Sequence, residues 1–165
     1  MERRFYCLVL DALLSTKDKV CRIEQENGNW VFINDFYGIW FPGTLLFNPD
    51  RIPIGTYGGI VEQRSLAYAE PVELTGKTGI DAHNSELYEL KFCDLTNGYR
   101  NVWITAKMLN IFPSKKYSFG ANRDVLYAAY KKSGSIVGVF VGTRTPEKLK
   151  VTYDPELMIE KRCKK

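Results

Sequence analysis

The chain has one histidine, His83, within Asp81-Ala82-His83-Asn84-Ser85. A Ser-His-Asp or Cys-His arrangement would have to be built on it, because such nucleophiles need an imidazole base. Its polar surroundings, just before a strand-like run, read instead as a solvated loop. A single imidazole excludes metal sites with two or more histidines, such as H-E-x-x-H. The four cysteines, Cys7, Cys21, Cys93 and Cys163, form no C-x-x-C pair. Zinc would need all four, or three with His83, gathered from distant positions. Buried free thiols are the simpler reading.

Paired carboxylates can do acid–base work without histidine. Glu62, Glu70, Glu73 and Asp81 are candidates, but no motif singles out a pair. Gly55-Thr56-Tyr57-Gly58-Gly59 has neither the G-K-[ST] ending nor the G-x-G-x-x-G spacing of phosphate-binding loops. Gly76-Lys77-Thr78 has the triplet, but Pro71 stands where the first glycine of a P-loop belongs. The chain therefore reads as a non-enzyme with no cofactor and no metal. An enzyme acting on a small molecule through carboxylates, Cys7 or Cys93 is the third-ranked reading.

Binding chemistry has better candidates. Residues 36–61 carry only two charges, Asp50 and Arg51, in 26 residues. They include five glycines, three prolines and the aromatics Phe36, Tyr37, Trp40, Phe41, Phe47 and Tyr57. Gly and Pro break regular structure, yet irregular segments are usually polar because they lie on the surface. Such a segment either packs under other elements or forms a binding face. Large rigid aromatics are the usual anchors of interfaces. Phe36, Tyr37, Trp40, Phe41 and Tyr57 are thus the expected contacts for a protein partner.

A second set combines cations with rings: Lys115, Lys116 and Tyr117, and Tyr130 with Lys131 and Lys132. Phosphate contacts plus stacking on nucleic acid use such combinations. Net charge argues less strongly for it. Of 23 Lys and Arg, four lie in the tail as Lys161, Arg162, Lys164 and Lys165, which leaves 19 against 19 Asp and Glu in residues 1–160. A domain that neutralises many phosphates usually has a basic surplus. Only local clustering could supply one here.

The elements that must position these residues are mostly hairpins. Val20–Glu24 and Trp30–Asn34 flank Glu26-Asn27-Gly28-Asn29, and Leu87–Asp94 and Tyr99–Trp103 flank Thr96-Asn97-Gly98. Asn-Gly between strand-like runs is the strongest short hairpin signal. A third hairpin joins Val125–Tyr130 to Ile136–Val141 through Lys131-Lys132-Ser133-Gly134. Residues 5–14 are apolar, and their period does not choose between a buried strand and a short helix. Thr105 can cap a short helix with Met108, Leu109 and Phe112 as its stripe, stopped by Pro113. Asp154-Pro155-Glu156 opens a C-terminal helix, whose basic end suits the helix dipole.

The expected fold is α+β and β-rich, mainly antiparallel, in a single compact domain over 1–165. A subdivision near 75–85 is conceivable, because Thr75-Gly76-Lys77-Thr78-Gly79 reads as a loop. The N-terminal apolar run is broken early by Asp11, so it does not read as a signal peptide. No run approaches the roughly 20 apolar residues of a membrane helix. The expected location is cytoplasmic, with no membrane partner.

From residue 101 the order is strand, short helix, strand, hairpin: Val102-Trp103-Ile104-Thr105-Ala106-Lys107-Met108-Leu109, then Lys115-Lys116-Tyr117-Ser118-Phe119, Val125-Leu126-Tyr127-Ala128, and Ile136 to Val141-Gly142-Thr143-Arg144. This stretch resembles the last half-domain of DNA sliding clamps and clamp-like phage proteins. The proline of their terminal motif is missing, and 21 residues follow Arg144. The resemblance implies an accessory protein of a phage or mobile element, and several subunits if a ring is to close. The leading functional reading is a non-enzymatic, protein-binding accessory or inhibitory protein acting through the aromatic segment. The alternative is a nucleic-acid-binding or clamp-like replication or recombination accessory protein. Self-association is compatible with both.

Overall fold

The computed structural model describes residues 2–15, 17–34, 37–43, 45–55, 70–94, 98–113, 115–122, 125–142 and 149–156. The chain opens with helix α1 (Arg3–Leu14). Its buried residues, Phe5, Tyr6, Val9 and Ala12, recur at helical spacing. Arg3, Cys7, Leu10 and Asp11 fall on the opposite, exposed side. One stripe therefore faces the core, which a strand of the same sequence could not achieve.

Three strands follow: β1 (Cys21–Gln25), β2 (Gly28–Phe32) and β3 (Tyr37–Pro42). The β1–β2 hairpin pairs Gln25 with Gly28, so Glu26-Asn27 is its two-residue loop. Gly28 opens β2 at φ +145°, in the left-handed half of conformational space that favours glycine. A Cβ there would stand 2.8 Å from Trp40 Cζ2, 2.9 Å from Pro42 Cα, and against Phe41 O. Gly28→Ala is thus expected to cost about 2 kcal/mol through backbone strain and crowding. The check is a urea titration, in which the midpoint should fall with an unchanged slope. An unmoved midpoint would mean that β3 retreats freely.

A 3-10 turn (Pro49–Arg51) comes next, capped by Asn48, whose side chain accepts the Asp50 N–H at 2.9 Å. Then come β4 (Glu70–Ile80), β5 (Glu86–Asp94) and β6 (Gly98–Thr105). Residues 75–79, read from sequence as a loop, are part of β4. The register shifts between Leu74 and Thr78, and Gly76 sits in this bulge at φ +84°. Glycine here accommodates the bulge instead of ending the strand. Helix α2 (Ala106–Ile111) begins after Thr105, which stands at the cap position without a side-chain cap bond.

The last strands are β7 (Tyr117–Asn122), β8 (Val125–Tyr130), β9 (Ile136–Val141) and β10 (Lys150–Tyr153). The C-terminal helix expected from Asp154 lies, beyond Glu156, outside the described residues. Asp154 Oδ1 does accept the Glu156 N–H at 2.9 Å.

All strand pairings between these elements are antiparallel. The order is β1-β2-β3-β9-β8-β7-β4-β5-β6, with β10 also on β4. Six strands form one sheet. β4, β5, β6 and β10 form the other, and Glu70 and Pro71 at the start of β4 hydrogen-bond across to β7. One hydrophobic cluster unites both sheets and both helices, with Val9, Ile39, Phe140, Leu90 and Ile104 among its members. A second lies on the other face of the six-stranded sheet, around Trp30, Phe32, Tyr127 and Val139. β8 and β9 are therefore buried on both faces, and their residues are small or apolar throughout. No helix among the described residues is long and apolar enough to cross a membrane.

Candidate functional site

The aromatic segment divides. Phe36 and Tyr57 lie outside the described residues. Tyr37 and Phe41 are 5% and 0% exposed, which corrects their reading as partner contacts. Phe41 sits 4.8 Å from the Tyr6 ring, beneath α1. Burial pushes the Tyr37 phenol up to about 12, and Asp18 adds to the shift. Trp40, half-buried, packs on Trp30 at 5.3 Å on the other face of the sheet. Alternation along β3 explains the split, because neighbouring residues point to opposite faces. Both faces are covered, so of the three described candidate rings Tyr37 and Phe41 are core and Trp40 is half-buried.

His83 is exposed in the turn between β4 and β5. Asp81 Oδ1 accepts the N–H of Ser85 at 2.8 Å and of His83 at 2.9 Å. These bonds hold the Asp81 carboxyl below its ordinary value. The residues around His83 thus shape a turn. Among the described residues, no three His, Cys, Asp or Glu side chains gather as they would around a metal.

The lysine pairs come together. β7 and β8 are hydrogen-bonded with Tyr117 opposite Tyr130, so the residues just before β7 meet those just after β8. The Lys131 N–H donates to Lys116 O at 3.0 Å. Lys115, Lys116, Lys131 and Lys132 are all exposed at this end of the sheet. Tyr117 is not. It is 1% exposed, its ring 5.1 Å from Tyr130 and 5.5 Å from Phe112, so it is corrected from a stacking surface to a core residue. Burial, with Glu2 and Tyr130 close by, pushes its phenol far above the ordinary value.

Helix α1 extends the patch. Lys116 Nζ lies 3.1 Å from Glu2 Oε1. Burial raises the Glu2 carboxyl, but the Tyr117 hydroxyl and the charges of Lys116 and Arg4 outweigh it and hold the group below its ordinary value. Arg4 Nη2 donates to Asn110 O, fastening α1 to α2. Between the two helices runs an open groove of about 600 Å³, with Arg3, Arg4 and Lys107 on its walls and Cys7, Leu8 and Asp11 beside them. Arg3, Arg4 and Lys107 were not singled out from sequence. The cue was the Phe5–Phe112 contact, at 5.5 Å, which a linear reading does not contain.

Glu2, α1, α2, residues 115–116 and the 131–135 turn together hold seven cations (Arg3, Arg4, Lys107 and the four lysines) against two carboxylates, Glu2 and Asp11. A chain balanced over residues 1–160 concentrates about five net positive charges on one surface.

The opposite balance holds at two buried charges. Glu89 is enclosed on β5, where it accepts from Thr75 Oγ1 at 2.7 Å and Asn101 Nδ2 at 3.2 Å and pairs with Lys77 at 3.5 Å. Arg22 is buried on β1 and bonded to Glu24. Glu89 is locally satisfied, whereas Arg22 keeps its buried Nε without a hydrogen-bond partner; both serve the sheets.

The chain matches no family model, no curated protein and no solved structure. The strand, helix, strand, hairpin order behind the sliding-clamp resemblance is present as β6, α2, β7 and β8–β9.

Proposed function

We propose that the protein binds the phosphate backbone of nucleic acid through the basic surface formed by α1, α2, the start of β7 and the β8–β9 turn. The observation that carries this reading is the convergence of seven cations from four separate segments in a chain whose residues 1–160 are neutral overall. Clustered Lys and Arg with few acids are the electrostatic footprint of polyanion binding. With the Tyr117 ring buried, contact runs through charge and not through stacked bases, so binding is largely indifferent to sequence. The protein-partner reading loses Tyr37 and Phe41 to the core and ranks second.

The test is fluorescence anisotropy with a labelled 20-mer, single-stranded and duplex, titrated at several salt concentrations. About five phosphate contacts predict a slope of log K against log salt near −4.5 on duplex, a loss of roughly 500-fold between 50 and 200 mM salt. Replacing Lys115, Lys116, Lys131 and Lys132 together by alanine should flatten that slope by about 3 to 4 while leaving the thermal melt in place, because all four side chains are exposed. No anisotropy change at low salt, or a slope indifferent to the four substitutions, would remove the reading.

A further inference from the structure

We propose that the groove between α1 and α2 seats one unpaired nucleotide of the bound strand, with its phosphate at Arg3 and Arg4 and the Watson–Crick edge of its base at Asp11. The inference rests on the nucleic-acid reading above and adds a selectivity to it. The groove's volume of about 600 Å³ lies within the range of sites for small ligands. A duplex is too wide to enter it, whereas a single nucleotide can lie along it. Its walls are fixed before anything binds: Arg4 holds α1 to α2 through Asn110 O, and Phe5 meets Phe112 at 5.5 Å in the core below. A preformed site spends little binding energy on ordering itself.

The lining is graded along α1. Arg3 and Arg4 occupy its first turn, Cys7 and Leu8 the second, and Asp11 the third. Arg4, Leu8 and Asp11 recur at helical spacing, so they share one side of the helix. The rise from Arg4 to Asp11 is about 10 Å along the axis. That span suits a nucleotide laid from its phosphate, across the sugar, to the far edge of its base. The guanidinium forks of the two arginines match the phosphate oxygens. Leu8, with Ile111 from α2, gives an apolar floor for the flat base. Lys107 on α2 adds a third cation for the neighbouring phosphates.

Asp11 selects the base. Its carboxylate accepts hydrogen bonds and donates none. Guanine presents its N1–H and N2–H side by side, a pair of donors that one carboxylate accepts together. Adenine and cytosine each offer one amino donor beside an acceptor nitrogen. Thymine offers one N3–H between two carbonyl oxygens, which a carboxylate repels. In a duplex these donors face the paired base, so only an unpaired base brings them to a protein. An acid inside a basic groove weakens a site that holds phosphates alone, so its place there favours a base edge over a second phosphate.

Overhangs test the seat. The probes are a labelled blunt DNA duplex and the same duplex with a short single-stranded overhang, either all dT or with one dG among the thymines. At fixed salt, anisotropy should show the dG overhang binding about tenfold tighter than the blunt duplex and about fivefold tighter than the all-dT overhang. Asp11→Asn, at an exposed position, removes a negative charge. It should bind every probe at least as tightly as the native chain, yet lose the difference between dG and dT. The exposed Cys7 thiol lies in the groove and reports its occupancy. Iodoacetamide should still alkylate Cys7 under saturating blunt duplex and fail to do so under saturating dG overhang, read by peptide mass spectrometry. If no probe binds at low salt, the nucleic-acid reading falls and this one with it. If all probes bind alike and Cys7 reacts equally under each, the strand lies outside the groove and this proposal alone is overturned. An Asp11→Asn chain that still prefers dG would overturn it as well.

Discussion

Gly138→Ala is expected to lower the thermal midpoint by about 6–12 °C, which is about 3 kcal/mol for a chain of this size. Gly138 lies in the middle of β9, with Ala128 on one side and Ile39 on the other. A Cβ there would stand 2.6 and 2.8 Å from Phe112 Cε1 and Cε2 and run into the tip of that ring. The ring cannot withdraw, because it is edge-on to Phe5 and Tyr117 at 5.5 Å each and stacked on Phe140 at 6.1 Å. A close-packed interior passes such a displacement on to its neighbours. Combining Gly138→Ala with Phe112→Leu should recover about 1 kcal/mol relative to the sum of the single effects, since the shorter side chain makes room for the methyl group. A single variant that melts within a degree or two of the native protein would mean that β9 and α2 separate at little cost.

Phe41→Ala should cost about 3–5 kcal/mol, the usual range for removing a fully buried ring. Trp40→Ala, one residue away, should cost about half as much, because that side chain is only half-buried against Trp30. The comparison separates core from interface. Two interface anchors would leave the melt in place and change binding instead. Here both melts move, Phe41→Ala by more, and oligonucleotide affinity measured well below the midpoint stays at the native value. Equal, unshifted melts would return the aromatic segment to the surface.

The hairpins were legible because their turns use residues with a local mechanism. Asn27-Gly28, Asn97-Gly98 and Ser133-Gly134 mark where strands reverse, and Gly98 and Gly134 both take positive φ. Helix α2 was legible from Thr105 and Pro113. Helix α1 was not, because its exposed side carries Cys7, Leu10 and Leu14 and blurs the polar stripe. The aromatic segment misled because its glycines looked like loop residues. In the structure Gly38 makes room for the Phe32 ring, whose Cδ1 would lie 2.8 Å from an added Cβ, as the turn glycine Gly28, outside that segment, does for Trp40. These glycines let aromatic side chains lie flat on neighbouring strands, which is a property of the core. The lysine pairs were visible one at a time. That they share a surface depends on Tyr117 lying opposite Tyr130, a register that no single segment encodes.

The β3–β9 pairing joins Tyr37 to Phe140, residues about a hundred positions apart. On a ribosome adding about 5–20 residues per second, β3 leaves the tunnel roughly 5–20 s before the strand that completes it. During that interval the apolar edge of β3 has no native neighbour. Contacts of such long range slow folding and leave nascent chains open to misassembly. This protein is thus expected to depend on chaperones or slow dilution while it is being made, and far less once β9 has closed against β3.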